Sequence, residues 1–512
     1  MNSMNYKLDL KTDWVVCKLE DLGYGNNAIV DGPFGSNLKT SDYIDDSING
    51  VPVLTTKNLA GDYSDDKVRF ISKEKFEELK RSEVNGGDIL VAKIGSIGKT
   101  GIYPKKMRSA IIPANLLKFT VNPRIIFNYV YNYLNFQGFQ DLIQQIATAT
   151  AQPAFNVTKF RKLPFPLPPL PEQRAIVSRI EQLFSELDNG IANLRLAQEQ
   201  LKVYRQAVLK KAFEGELTRK WREQQTDLPD AQDLLEQIRI EREEAAKASG
   251  KKVKPVKPLT EDEIAELPGL PEGWGWVKVD NILSESDKGM TTGPFGTALK
   301  KYEHQKYGIP VYGIENIGEG VFRMPNKIFI TEEKARELQA FSVKPYDIII
   351  SRSGTVGEIC YIPERINSGI ISTNLIRVRL NLDIVSPNFF VYLFQGGIVR
   401  EQVKEVCKGS TRAFLNQTIL SSIYFPLCSL PEQHAIVEEI ETRLSVCDKM
   451  AQDIDEALEK AEALRQSILK KAFEGKLLNE RELAEVRKAE DWEPAKVLLE
   501  RVRAERAGNG KK

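Results

Sequence analysis

The stretch "LPEQRAIVSRIEQLFSELD" occupies residues 170–188, and "LPEQHAIVEEIETRLSVCD" occupies residues 430–448, an offset of 260. Each follows a proline-rich stop, "LPFPLPPLPEQ" in one case and "YFPLCSLPEQ" in the other, and each then runs on with no further proline for dozens of residues. Proline is tolerated in the first turn of a helix, where its missing N–H would have no partner anyway, so each "LPEQ" marks a helix entry. In the first helix Ile176, Ile180, Leu183, Leu187, Ile191, Leu194, Leu201, Tyr204 and Val208 recur by threes, fours and one seven. In the second, Ile436, Ile440, Leu444, Cys447, Ile454, Leu458, Ala461, Leu464 and Ile468 do much the same. Such near-heptad seams are what a coiled coil needs, and polar outer faces leave neither helix stable alone.

The repeat extends well beyond these helices. "YRQAVLKKAFEGEL" at 204 returns as "LRQSILKKAFEGKL" at 464, and "AQDLLEQIRIER" at 231 as "AKVLLERVRAER" at 495. Trp14 pairs with Trp274, "VPVLTTKNL" with "IPVYGIENI", "GDILVAKIGSIGKTGIY" with "YDIIISRSGTVGEICYI", and "GPFGSNLK" at 32 with "GPFGTALK" at 293. The period far exceeds that of a solenoid, so the chain is a tandem domain duplication. Residues 1–165 and 270–425 carry short β-branched and aromatic runs broken by Gly, Pro and Asn, with some helical stretches, which is an α+β pattern.

The predicted organisation is an α+β domain over 1–165, a helix over 166–217 and a charged linker or helical segment over 218–269. The second copy follows as a domain over 270–425, a helix over 426–477 and a charged tail over 478–512. Duplicated units often pack about a pseudo-two-fold axis, which would set the two long helices antiparallel as a coiled coil with the domains at opposite ends, a dumbbell. The segment "AAKASGKKVKPVKP" reads as a solvated tether, and the C-terminal "RAERAGNGKK" as a fraying end.

Composition excludes several chemistries. Five cysteines without CxxC spacing indicate neither a disulfide framework nor a zinc knuckle, and two histidines leave little material for imidazole chemistry. No apolar run approaches the ~18 residues of a membrane span and no signal-peptide layout is present, so a cytoplasmic protein with no membrane association is expected. Net charge is +1; residues 1–165 hold 21 Lys/Arg against 17 Asp/Glu, and residues 270–425 hold 18 against 16. That mild excess is short of the basic footprint of a free-standing DNA binder.

Catalytic look-alikes fail on context. "AKIGSIGKT" ends like a phosphate-binding loop, but Lys93 stands where its first glycine belongs, "GIYPKK" cannot open a helix, and Glu358 replaces Lys99 in the second copy. The expected structure is a β-hairpin with glycine turns. "GPFGSNLK" lacks the strand-then-helix setting too, and Gly32, Gly35, Gly293 and Gly296 read as turn formers. The aromatic stretch "FNYVYNYLNF" at 127 reads as a packed helix rather than a base-stacking platform.

Two α+β domains, each leading through "PEQ(R/H)AIV" into a helix that ends "RQ(A/S)(V/I)LKKAFEG(E/K)L", together resemble the specificity subunit of type I restriction-modification enzymes, over essentially the whole chain. His434 in place of Arg174, Cys428 within the second proline run and the long post-helix segments depart from that pattern. The resemblance implies a non-catalytic subunit without its own cofactor. Each α+β domain would be a target-recognition domain reading one half of a bipartite site on double-stranded DNA, and the helices would be a spacer that also holds two methyltransferase subunits. S-adenosylmethionine, ATP and Mg would belong to the methyltransferase and restriction subunits. Candidate DNA contacts, chosen as polar loop tips able to meet base edges, are Ser36, Asn37, Lys39, Lys93 and Ser96 in the first domain. In the second they are Thr297, Lys300, Arg352, Ser353 and Arg412. The alternative is a dumbbell scaffold that binds protein partners.

Overall fold

The computed structural model describes residues 11–33, 37–61, 63, 68–148, 152–249, 259–284, 288–295, 298–324, 326–366, 368–407 and 414–509. The chain forms two units, one made of Met1–Leu194 with Asp455–Lys512, the other of Arg195–Ile454. The units therefore do not follow the two sequence copies: each combines one α+β domain with parts of both long helices.

In the first unit a four-stranded antiparallel sheet takes the spatial order Ile29–Asp31, Leu116–Phe119, Ile89–Ala92, Thr100–Ile102. Side chains alternate across a strand. Ile89, Val91, Leu117 and Phe119 enter the main core, while Leu90, Ala92 and Leu116 pack with Leu54, Val84 and Tyr103 on the other face. Burial on both faces explains why "DILVA" reads as an unbroken apolar run instead of an alternating one. A second sheet, ordered Tyr43–Ile44, Arg69–Ile71, Val51–Val53, Ala110–Ile111, Glu83–Val84, contains one parallel pairing, Val53 with Ile111.

A two-stranded ribbon joins the start of the domain to its exit. Val15–Lys18 pairs antiparallel with Pro164–Leu167, whose chain leads directly into the first long helix, Leu170–Phe213. The glutamine of "LPEQ" locks this entry. Gln173, fully buried, accepts from the Ile126 backbone N–H at 3.0 Å and donates to the Pro168 carbonyl at 2.9 Å. It thus fastens the helix to the aromatic helix Phe127–Leu134 that follows Ile126. Tyr129 and Tyr133 of that helix are buried, as expected of a packed helix, with ring centroids 5.3 and 5.0 Å from Phe473.

Phe473 ends the second long helix, Leu430–Phe473, within "LKKAFEG". The helix stops there because Gly475 adopts φ 71°, and the Gly475 and Lys476 N–H groups cap the Ala472 and Lys471 carbonyls. In this unit Asp188 ion-pairs with Arg465, while Ile176 and Ile180 share a core with Ile468, Ala472 and Phe473. Earlier residues of one helix meet later residues of the other, so the helices are antiparallel. Leu183 is half-buried along the seam, whereas Leu464 is 51% exposed and Arg465 takes the inward position, its guanidinium 4.5 Å from the centre of the Phe184 ring.

The second unit repeats these devices. Its four-stranded sheet runs Met290–Thr292, Leu375–Val378, Ile348–Ser351, Ile359–Tyr361, and Gly275–Lys278 pairs with Tyr424–Leu427. Gln433 accepts from the Ser386 N–H at 2.9 Å and donates to the Ile384 and Cys428 carbonyls at 2.8 and 2.9 Å. Phe213 packs at 5.5 Å from Phe389, and Gly215 at φ 72° ends its helix. Arg205 ion-pairs with Asp448, and Val208, Leu209 and Ala212 share a core with Ile436 and Ile440, again antiparallel. Tyr204, counted in the predicted seam, is 45% exposed.

The charged segments that follow the long helices each contain a docked helix. Ala495–Asn509 is a helix whose Leu498, Leu499 and Val502 enter the core of the first unit, and Arg503 grips Asp21 with two bonds of 3.0 and 2.9 Å. Ala231–Ser249 is a helix in the second unit, held by Leu234, Ile238 and an Arg242 bond of 2.8 Å to the Asp280 carbonyl. Two or three buried apolar residues at helical spacing dock each otherwise charged helix. Residues 251–258 of the lysine-rich stretch lie outside the described residues.

Candidate nucleic-acid interface

At one end of each four-stranded sheet, three backbone corners converge. In the first unit they are the "GP" corner after Ile29–Asp31, the turn at Pro113 before Leu116–Phe119, and the glycine hairpin after Ile89–Ala92. Gly32 is the close-approach point: a Cβ there would stand 2.1 Å from the Ile112 carbonyl oxygen. In the second unit a Cβ on Gly293 would stand 1.9 Å from the Ser372 carbonyl oxygen. Neither glycine has a positive φ; what each provides at its corner is room for the neighbouring backbone. Gly35 and Gly296 lie outside the described residues.

The segment that looked like a phosphate-binding loop is the expected hairpin. Ile89–Ala92 pairs antiparallel with Thr100–Ile102, the Gly98 N–H closes on the Ala92 carbonyl at 2.9 Å, and Gly95 and Gly98 take φ 82° and 83°.

The structure places the candidate residues in different settings. Ser96 is exposed at the hairpin tip. Lys93 is 5% exposed, with its ammonium 2.6 Å from an Asp31 carboxylate oxygen, so its charge is committed inside the domain. Asn37 and Lys39 are exposed and lie over the second sheet, where Leu38 between them packs with Val53 and Ile71. The Lys39 backbone N–H donates to Asp42 at 2.6 Å. Lys300 repeats this arrangement, with its backbone N–H on Glu303 at 2.6 Å and its exposed ammonium 5.6 Å from the centre of the Tyr302 ring. Ser353 is half-buried and donates to Asn374 at 2.9 Å. Arg352 is 6% exposed and lies 4.0 Å from the centre of the Phe414 ring. Ser36, Thr297 and Arg412 lie outside the described residues.

The structure thus brings Lys93 and the hairpin to the "GP" corner, but sets Asn37 and Lys39 over another sheet. Sequence reasoning missed Asp31 as the partner of Lys93 and Phe414 as the ring over Arg352. The first had a signal: Asp31 stands immediately before "GPFG", where the second copy has Thr292. Among the described residues no group of three or more His, Cys, Asp or Glu is placed to hold a metal ion, and no helix is long and apolar enough to cross a membrane. Cys17, Cys360, Cys428 and Cys447 are buried free thiols; burial pushes the Cys360 thiol up to about 12.

These features define a class: a duplicated α+β domain, each copy locked through a buried "LPEQ" glutamine to a long helix that pairs antiparallel with its twin. The family model for the type I restriction modification DNA specificity domain matches residues 11–194 and 294–460, and the chain belongs to that family. It is similar to the type I restriction enzyme EcoBI specificity subunit of Escherichia coli, 26% identical over 68% of this chain and 65% of that relative. It is also similar to the EcoDI specificity subunit of Escherichia coli, 25% identical over 68% of this chain and 69% of the relative. Among solved structures, one described as showing the structural basis of complex assembly and conformational transition of the type I R-M system shares the fold. Its TM-score is 0.62 at 16% identity, over 92% of this chain and all of that one.

Proposed function

We propose that this specificity subunit recognises a bipartite, asymmetric sequence on double-stranded DNA, each α+β domain reading one half. The observation that carries this reading is a contrast between parts. The helix entries and ends are kept nearly residue for residue across the duplication, while the matching sheet ends carry different chemistry: Asp31 with Lys93 in one, Thr292 with Arg352 in the other. Domains built alike but tipped differently suit two different half-sites.

On this reading the long helices act as a spacer. Each has 44 residues, about 66 Å at ~1.5 Å per residue, which bounds the separation of the half-sites at roughly 19 base pairs. Two methyltransferase subunits dock on the helices and methylate adenines with S-adenosylmethionine. Restriction subunits bring ATP- and Mg-dependent cleavage. The chain itself supplies recognition rather than catalysis, and works in the cytoplasm. Its mild basicity fits partners that share the phosphate contacts.

The test is retention of a duplex library by the purified complex of this chain with its methyltransferase subunit, over a salt series. Selection of one bipartite sequence supports the reading. Retention without sequence preference, or none at low salt, leaves a protein-binding scaffold instead.

A further inference from the structure

Arg352 is an unusual cation. It leaves the strand Ile348–Ser351 with its backbone pinned on both sides: its N–H donates to the Asn374 carbonyl at 2.9 Å and its carbonyl accepts from the Leu415 N–H at 3.0 Å. The guanidinium lies 4.0 Å from the centre of the Phe414 ring and 5.7 Å from that of Phe295. Arg352 is 6% exposed while Phe295 is 65% and Phe414 40% exposed, so two rings at the surface frame a cation set just behind them.

Its hydrogen bonding is incomplete. Nη1 reaches the Thr373 carbonyl only at 3.4 Å, and Nε is buried with no partner. Among the described residues no carboxylate pairs with it. Burial alone lowers its proton affinity from the ordinary guanidinium value. Leaving a charge buried and unpaired is costly, and such groups are retained where something else supplies the missing partner.

The matching position in the first domain is Lys93, whose ammonium is neutralised by Asp31. In the second domain Thr292 replaces that carboxylate and is bound by Gln417 Nε2 at 2.8 Å. The two copies thus share a cation at this corner, and only the first domain sets a carboxylate on it. A phosphate contact, which only positions the protein, would serve both domains equally; a contact present in one domain is suited to carry sequence. A guanidinium fixed by aromatic packing presents a rigid planar pair of donors, the geometry that meets guanine O6 and N7 in the major groove.

We propose that Arg352, framed by Phe295 and Phe414 and freed by the replacement of a carboxylate with Thr292, reads a guanine in the half-site of the second domain. This rests on the DNA-recognition reading above and assigns one base within it.

The experiment uses the full chain in complex with its methyltransferase subunit, selecting from randomised duplexes with wild type, Arg352→Ala, Arg352→Lys and Thr292→Asp. Thr292→Asp keeps Arg352 and recreates the counter-ion of the first domain, so it tests the idea without emptying a buried site. All three variants are expected to lose discrimination at one and the same G·C pair by roughly 5- to 150-fold, with the other half-site unchanged. Unchanged selectivity in Thr292→Asp and Arg352→Lys overturns the proposal. So does a uniform loss over all sequences with the salt slope reduced by about one, the mark of a phosphate contact. Wild-type complex that selects no sequence instead defeats the DNA-recognition reading itself, a result distinct from either.

Discussion

The glutamate of "LPEQ" occupies equivalent places in the two copies, and the structure gives it opposite energetics. Glu432, 2% exposed, accepts from Thr218 Oγ1 at 2.8 Å and from Trp274 Nε1 at 2.9 Å, and ion-pairs with Arg222, whose side chain is 19% exposed. Glu172, 5% exposed, has Trp14 beside it, but the indole N–H closes no hydrogen bond. Burial raises its pKa above the usual carboxylate value, a shift that the nearby charges of Lys11 and Arg487 only partly oppose. Removing one member of a buried pair costs ~3–5 kcal/mol because the other charge is stranded. Arg222 keeps some solvent, so Glu432→Gln is expected to cost about 3 kcal/mol in the second unit. Glu172→Gln replaces a poorly compensated buried acid with a neutral isostere and is expected to leave the first unit unchanged or up to ~1 kcal/mol more stable.

The two changes are separable by pH. A folded-state pKa raised above the unfolded value means the folded unit holds its proton more tightly. The first unit therefore loses stability as pH rises from the unfolded glutamate value, ~4.3, through the raised folded value. Glu172→Gln should flatten that slope. Hydrogen exchange on the full chain gives the opening free energy around residues 170–180 and 272–280 separately. Equal destabilisation of the two regions by the two substitutions, or an unchanged pH slope in Glu172→Gln, would refute the reasoning.

Three further outcomes are expected. Gly293→Ala drives a methyl group into the Ser372 carbonyl and should destabilise the second unit by about 3 kcal/mol, read from the same exchange data. Phe473→Ala empties the cage formed by Tyr129, Tyr133 and Phe136 and should cost the first unit ~3–5 kcal/mol, seen as lost protection in Phe127–Leu134. Deleting one heptad from each long helix should shorten the preferred gap between half-sites by about three base pairs in a duplex selection, and an unchanged gap with intact binding would count against a helical ruler.

Much of the architecture was legible because duplication wrote it twice. The "LPEQ" entries, the "AFEG" ends and the α+β character of each domain follow from local rules about proline, glycine and apolar spacing. What was not legible depended on distant partners. Nothing local shows that "LKKAFEG" of the second copy packs into the domain of the first, since Phe473 meets Tyr129 across 344 residues of chain. Nothing local shows where the helices Ala231–Ser249 and Ala495–Asn509 dock, because charge dominates them, although the repeat of "AQDLLEQIRIER" as "AKVLLERVRAER" already marked their apolar positions. At the candidate interface Lys93 and Arg352 looked alike as cations after a buried strand. Only the fold reveals that one is held by Asp31 and the other is framed by aromatic rings.

The function proposed for this chain is selection of DNA targets for an adenine methyltransferase. Genome-wide mapping of methylated adenines in cells with and without the chain tests it most directly. Methylation is expected at one asymmetric sequence with two specified parts and an unspecified gap, and is lost entirely when the chain is removed. Methylation that persists without the chain, or that never depended on a two-part sequence, would contradict it.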